Sequence, residues 1–197
     1  MNMKMLSIGS RCNVKYQINK YYKSETLFFD WLGTDMATVI LVLQCKNIDT
    51  ILSPEYIVKF PERNSAVTVI SLPHCISIHD INRFNDIEIY KFIDKYKRRH
   101  ERLIHIIKSL DKLHFIRYGK IEDTEKEAFI HTILDINPDC NFTLVSVNIE
   151  QLSDSIVRSD HYLEINLTYK PSTNELSEWG TSYLNWRSIF NIITSRT

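Results

Sequence analysis

The chain has 197 residues, 44% hydrophobic and 24% charged, which is enough for one core of globular composition. A chain of this length buries roughly 70% of the surface it exposes when unfolded. Lys plus Arg and Asp plus Glu both number 24, so no global field favours nucleic acid or an anionic membrane, and the four glycines argue against glycine-rich phosphate loops and repeats.

The first predicted element is a strand over residues 3–8 (MKMLSI), broken by Gly9-Ser10. A helix over 13–22 follows, with Ser10 as its expected N-cap. LFFDWL (27–32) is an apolar run interrupted by Asp30, and an acid in such a run is either buried and bonded or exposed at a bend. Thr34 or Asp35 is placed to cap a second helix over 36–44. Residues 51–60 read as irregular, with a short helix after Pro54. AVTVISL (66–72) and CISIH (75–79) are strand-like, separated by Pro73. The clearest helix covers 86–110, where Ile89, Ile93, Tyr96, Leu103, Ile107 and Leu110 share one face. A strand over 113–118, a helix over 122–134 and a strand over 142–147 come next. A short helix over 150–157, a strand over 162–167 and a helix over 182–194 complete the reading. Trp186 and Phe190 lie four apart on that last helix, and Trp179 reads as core or pocket wall.

From residue 66 onward strands alternate with helices, which implies parallel strands joined by crossover helices. The expected fold is therefore a single α/β domain over 1–197. It has a mostly parallel central sheet, helices on both faces, and Cys12 at the N-terminus of the first helix. The alternative is an α+β, papain-like fold. No segment reaches the roughly 18–20 apolar residues of a membrane span, and residues 1–8 lack a signal-peptide pattern. The four cysteines (Cys12, Cys45, Cys75, Cys140) form no C-x-x-C pair. These features predict a cytoplasmic chain with reduced thiols. The abundance of Ile, Asn, Lys and Tyr reads as the codon bias of an AT-rich bacterial or viral genome, so a viral chain would work in the host cytoplasm.

Cys12 is the first chemical candidate. Backbone N–H groups at a helix N-terminus stabilise a thiolate, and Arg11 and Lys15 add positive charge. In an open α/β sheet ligands bind outside the carboxyl ends of the strands, which is where this turn is expected. The competing reading is a buried structural cysteine. His79, next to Asp80, is placed to act as general base for a thiol, against the reading of a surface histidine in a turn. Asp80, Asp160 and Glu164 are candidates for the acid that orients it, and His74 is the weaker histidine. Asp30 alternatively holds a backbone turn. Arg98 and Arg102 share a helix face and, with Arg117, could clamp a phosphate or carboxylate; the competing reading is a solvated face opposite the apolar stripe. No H-E-x-x-H, P-loop, G-x-G-x-x-G or G-x-S-x-G motif occurs, and no metal or cofactor is expected.

Four blocks taken together resemble a family of papain-like cysteine peptidases defined from sequence, a domain-of-unknown-function family of bacteria and large DNA viruses. They are LSIGSRCNVKYQI, LFFDWLGT, SIHDI and KYKRRHERLIHII before the strand that ends in Arg117. Phe28 stands where a proline is common in the family. The resemblance implies a nucleophile at Cys12 and a histidine at His79.

The leading expectation is a thiol-dependent hydrolase or acyltransferase acting on a peptide or protein substrate, with no nucleic-acid or membrane partner. Cys12, His79 and Asp80 would form the catalytic set, and backbone N–H groups after Gly9 an oxyanion site. Ser10, Asp30, Trp31, Arg98, Arg102 and Arg117 would contact substrate. One alternative is an inactive member that binds a protein, such as a viral factor engaging a host protein. Another is an α/β enzyme for a phosphorylated or sugar ligand held by Arg98, Arg102 and Arg117.

Overall fold

The computed structural model describes residues 2–10, 12–61, 66–78, 80–150, 153–168 and 184–195. Nine strands are present among them: β1 (Met3–Ser7), β2 (Leu32–Thr34), β3 (Ile57–Lys59), β4 (Val67–Val69), β5 (Cys75–Ser77), β6 (Lys112–Tyr118), β7 (Phe142–Glu150), β8 (Ser155–Ser159) and β9 (Tyr162–Thr168). The five α-helices of the described residues are α1 (Asn13–Tyr21), α2 (Met36–Gln44), α3 (Asp86–Ile107), α4 (Asp123–Ile136) and α5 (Trp186–Thr194).

The strands form two sheets. One has the order β1-β6-β7-β9-β8, with β1, β6, β7 and β9 parallel and β8 antiparallel at the edge. The other is a small antiparallel sheet in the order β2-β5-β4-β3. The chain is thus an α/β domain with a mostly parallel sheet, and the papain-like alternative of a helix against an antiparallel barrel is not its architecture. No helix of the described residues is long and apolar enough to cross a membrane.

Alternation along the parallel strands divides the core in two. Leu113, Phe115, Phe142, Leu144 and Tyr162 face α3, α4 and the small sheet. Met5, Ile116, Val145, Val147, Leu163 and Ile165 face α1 and α5. Helices therefore cover both faces, as parallel strands require. α3 is the principal cover of the first face. Its N-cap Asn85 accepts the Glu88 N–H, Asp86 and Glu88 sit in its first turn, and Ile89, Phe92, Ile93, Tyr96, Leu103 and Ile107 form its buried stripe. Trp186 and Phe190 of α5 are both buried, with ring centroids 5.7 Å apart.

Several predicted elements take a different form. The strands within 66–79 do not join the parallel sheet; they pair antiparallel with β2 and β3. Three-residue strands give no signal of direction, so alternation with helices alone could not separate the two sheets. The described part of 150–157 does not form the expected helix, because β7 runs to Glu150 and β8 begins at Ser155. Ser10 does not cap α1. It has φ 73°, and its hydroxyl donates to the Tyr118 carbonyl at 2.6 Å, leaving Cys12 at the N-cap. Asp35 does cap α2, accepting the Thr38 N–H at 2.8 Å. Trp179 lies outside the described residues.

Gly9 is needed twice over. Its φ is +81°, and a Cβ there would lie 1.9 Å from Thr34 Oγ1. Gly9→Ala is expected to lose about 2–5 kcal/mol, from left-handed strain plus overpacking. Urea denaturation measures this, and Thr34→Ala in the same chain should recover the steric part alone. A second expectation concerns His114, buried in β6 and held at a pKa of about 4 by desolvation and then by the Lys112 charge. An unfolded histidine takes its proton near 6.5, so stability should fall as pH drops from 6.5 to about 4, by on the order of 3 kcal/mol, and change no further through this group below that. Denaturation midpoints across that range check it, and His114→Gln should flatten the slope.

Candidate functional site

The turn after β1 is fixed from three sides. Ile8 donates its N–H to the Ile116 carbonyl, which keeps the chain on the sheet for one residue past β1. Gly9 and Ser10 then both adopt left-handed backbone. Arg117, 9% exposed, donates to the Ile8 carbonyl at 3.2 Å and the Thr34 carbonyl at 2.9 Å. Burial lowers the pKa of its guanidinium, and two carbonyl dipoles replace its water. Arg117 thereby joins the end of β1 to the end of β2. Cys12, half-buried, sits at the N-cap of α1 just beyond, and its carbonyl accepts the Tyr16 N–H at 3.0 Å. Asn13 Oδ1 and Thr34 Oγ1 border this turn; both are buried and have no hydrogen-bond partner among the described residues.

The LFFDWL segment forms a tight turn around Asp30, which is buried and bonded. Its Oδ2 accepts the Leu27 N–H at 2.7 Å and pairs with Lys15 Nζ at 2.9 Å. Lys15 is itself only 2% exposed and also donates to Ser24 Oγ and the Glu25 carbonyl. Burial pushes the Asp30 carboxyl up, and Lys15 and the Leu27 N–H only partly offset it. Trp31, half-buried, follows with φ 68°. Lys15 thus ties α1 to the segment that carries Asp30 and Trp31.

Asp80 anchors the other end of the small sheet. It accepts Ser77 Oγ at 2.7 Å, Lys95 Nζ at 2.7 Å and Tyr96 Oη at 2.5 Å. Burial would raise its pKa, but these three donors hold the carboxyl below its ordinary value. His79 and Arg11 lie outside the described residues. β2 links the two regions: Thr34 packs on Gly9, while Leu32 pairs with Ser77.

The arginines of α3 divide. Arg98 is exposed. Arg102 donates to the Thr26 carbonyl at 2.7 Å and pairs with Glu25 at 3.2 Å, so it secures the strap before Asp30. Arg99, which the sequence reading passed over, stacks on the Tyr96 ring at 4.8 Å and helps stabilise the Asp30 carboxylate. Of the other candidate acids, Asp160 precedes β9 and so lies at the amino end of the parallel strands, away from the Cys12 turn. Glu164 lies in a polar row facing Ser146, which in turn faces Arg117. Asn148 donates to Asn166 at 2.9 Å and Asn166 to Glu164 at 2.9 Å, closing a buried amide ladder. The sequence analysis singles out neither Ser146 nor Asn148, and the register of β6, β7 and β9 places both in the interior.

A cleft of about 940 Å³ lies elsewhere, between α2, α3 and α4, lined by Gln44, Cys45, His100, His105 and Thr132 among others. Comparison of the chain with protein-family models, curated proteins and solved structures gives no match.

Lys15→Met would leave Asp30 as an uncompensated buried charge, and a loss of about 3–5 kcal/mol is expected. Adding Asp30→Leu should restore most of it, which a double-mutant cycle by chemical denaturation measures.

Proposed function

We propose that the chain is a thiol-dependent hydrolase, a papain-like cysteine peptidase or a related amide- or acyl-transfer enzyme. The observation that supports this most is the placement of Cys12 at the N-cap of α1, directly after a left-handed Gly-Ser turn at the carboxyl end of β1. A thiolate there meets the N–H groups of the first helical turn, which favour the anion and would also serve a developing oxyanion. In this reading Cys12 Sγ attacks the substrate carbonyl carbon and forms a thioester. The leaving amine takes its proton from His79, and water then releases the acid. Asp80, clamped by Ser77, Lys95 and Tyr96, positions the segment that carries His79. Asp30, Arg102 and Arg117 act as positioning residues, and Ser10 and Trp31 border the substrate. Arg98 remains available to an extended substrate.

The other cysteines sharpen the test. Burial raises the Cys75 thiol to about 12 and the Cys140 thiol to about 11, so both should alkylate slowly. Cys45, half-buried and directed at the Asn47 carbonyl, is the comparator. Iodoacetamide at neutral pH, followed by peptide mass spectrometry, should modify Cys12 well before Cys45, and His79→Ala should slow Cys12 alone. Equal rates at Cys12 and Cys45 would overturn the reading. The protein-binding alternative draws on a different surface: Phe84, Ile87 and Tyr90, around the start of α3, are 43%, 68% and 57% exposed. A partner retained by Cys12→Ala but lost on Tyr90→Ala would favour it.

A further inference from the structure

A second pocket opens at the opposite end of the parallel sheet, where β6, β7 and β9 begin and α5 ends. It encloses about 560 Å³ and is lined by Lys112, His114, Thr143, Arg158, Asp160 and Ser195, among others. His114 is 1% exposed, and neither of its ring nitrogens has a hydrogen-bond partner among the described residues. A buried imidazole with two unmet nitrogens is costly unless something in the pocket meets them. Met5 and Thr143 flank it in register on the neighbouring strands, and Leu163 and Ile193 complete an apolar floor. Arg158 is already directed there, its Nη2 donating to the Ile192 carbonyl at 2.6 Å and to Ser195 Oγ at 3.3 Å.

The chemistry of the lining selects an anion that also carries a proton. Among the described residues that line the pocket, two cations, Lys112 and Arg158, face one carboxylate, Asp160. The hydroxyls of Thr143 and Ser159 add donors, while that of Ser195 is already given to the Ile192 carbonyl. The ring of His114 is neutral near pH 7, so it presents one N–H donor and one acceptor nitrogen. A carboxylate offers acceptors alone. A monoprotonated phosphate group offers acceptors to the cations and the N–H, and an O–H to the bare nitrogen.

We propose that this pocket is a binding site for a phosphate group, either free or on a small phosphomonoester, with Lys112 and Arg158 facing its charge and His114 its hydrogen bonds. The site is independent of Cys12 and stands whether or not the thiol is a nucleophile. Inorganic phosphate, titrated into the full chain and followed through the His114 ring resonances by NMR, tests it. Loss of the signal in His114→Gln assigns those resonances.

Saturation at about millimolar phosphate is expected, as suits a small polar ligand, with the ring's titration midpoint moving upward. Lys112→Gln should weaken binding about tenfold, the effect of one charge-assisted contact. Asp160→Asn should tighten it. Glycerol 3-phosphate in a parallel titration separates the sources: tighter binding than inorganic phosphate assigns an ester, and equal binding assigns the phosphate group alone. The proposal falls if the His114 resonances stay still at ten times that concentration or move equally with sodium chloride of the same ionic strength. It also falls if Lys112→Gln binds as well as the unaltered chain. Lys112 is exposed, so this variant leaves the core intact where Arg158→Gln could free the end of α5.

Discussion

The guanidinium of Arg117 joins the two sheets where the end of β1 meets the end of β2. Among the described residues no backbone ladder connects the five-stranded sheet to the four-stranded one. A buried cation with two carbonyl acceptors, one from each sheet, supplies the joint instead. Gly9 makes that joint geometrically possible, because any side chain there would displace Thr34. The position of the Cys12 turn follows from this joint more than from α1 itself, whose first turn has no side-chain capping bond from its N-cap residue.

Buried charge is handled in three ways within one small domain. Asp80 is surrounded by donors and stays ionised below its usual range. Asp30 has the Lys15 ion pair, the more remote charge of Arg99 and one backbone donor against deep burial, and its proton affinity still rises. His114 has no acceptor for its ring among the described residues and a like charge in Lys112, and it gives up its charge. The order follows how fully each charged form is met by partners of opposite character, donors and cations for the acids and acceptors or anions for the histidine.

Much of the parallel core was legible because period and composition agree there. α3 shows its stripe, and the first halves of β6, β7 and β9 carry apolar residues on both faces, as strands covered on both sides do. β8 was missed because all five of its residues are exposed, so it has no alternation to read. Within the site, Asp35 followed its capping rule, but Ser10 did not: a distant carbonyl and left-handed backbone took its hydroxyl away from the helix. Lys15 reads in the sequence as a positive charge beside Cys12, whereas its partner is Asp30, an acid fifteen positions on that only the folded turn brings near. Arg99 and Arg98 are adjacent in sequence, and only the rotation of α3 against Tyr96 separates the packed one from the solvated one.

The hydrogen bond from the Ser10 hydroxyl to the Tyr118 carbonyl spans 108 residues, and that from the Arg117 guanidinium to the Ile8 carbonyl spans 109. Contacts of such separation form late, after loop closure has been overcome. During synthesis the first strand and helix leave the ribosome long before β6 exists, so Cys12 has its helix but not its surroundings. The environment of the thiol is therefore completed only when more than half of the chain has been made, and a nascent or truncated chain ending before β6 would display the cysteine in an unfinished turn.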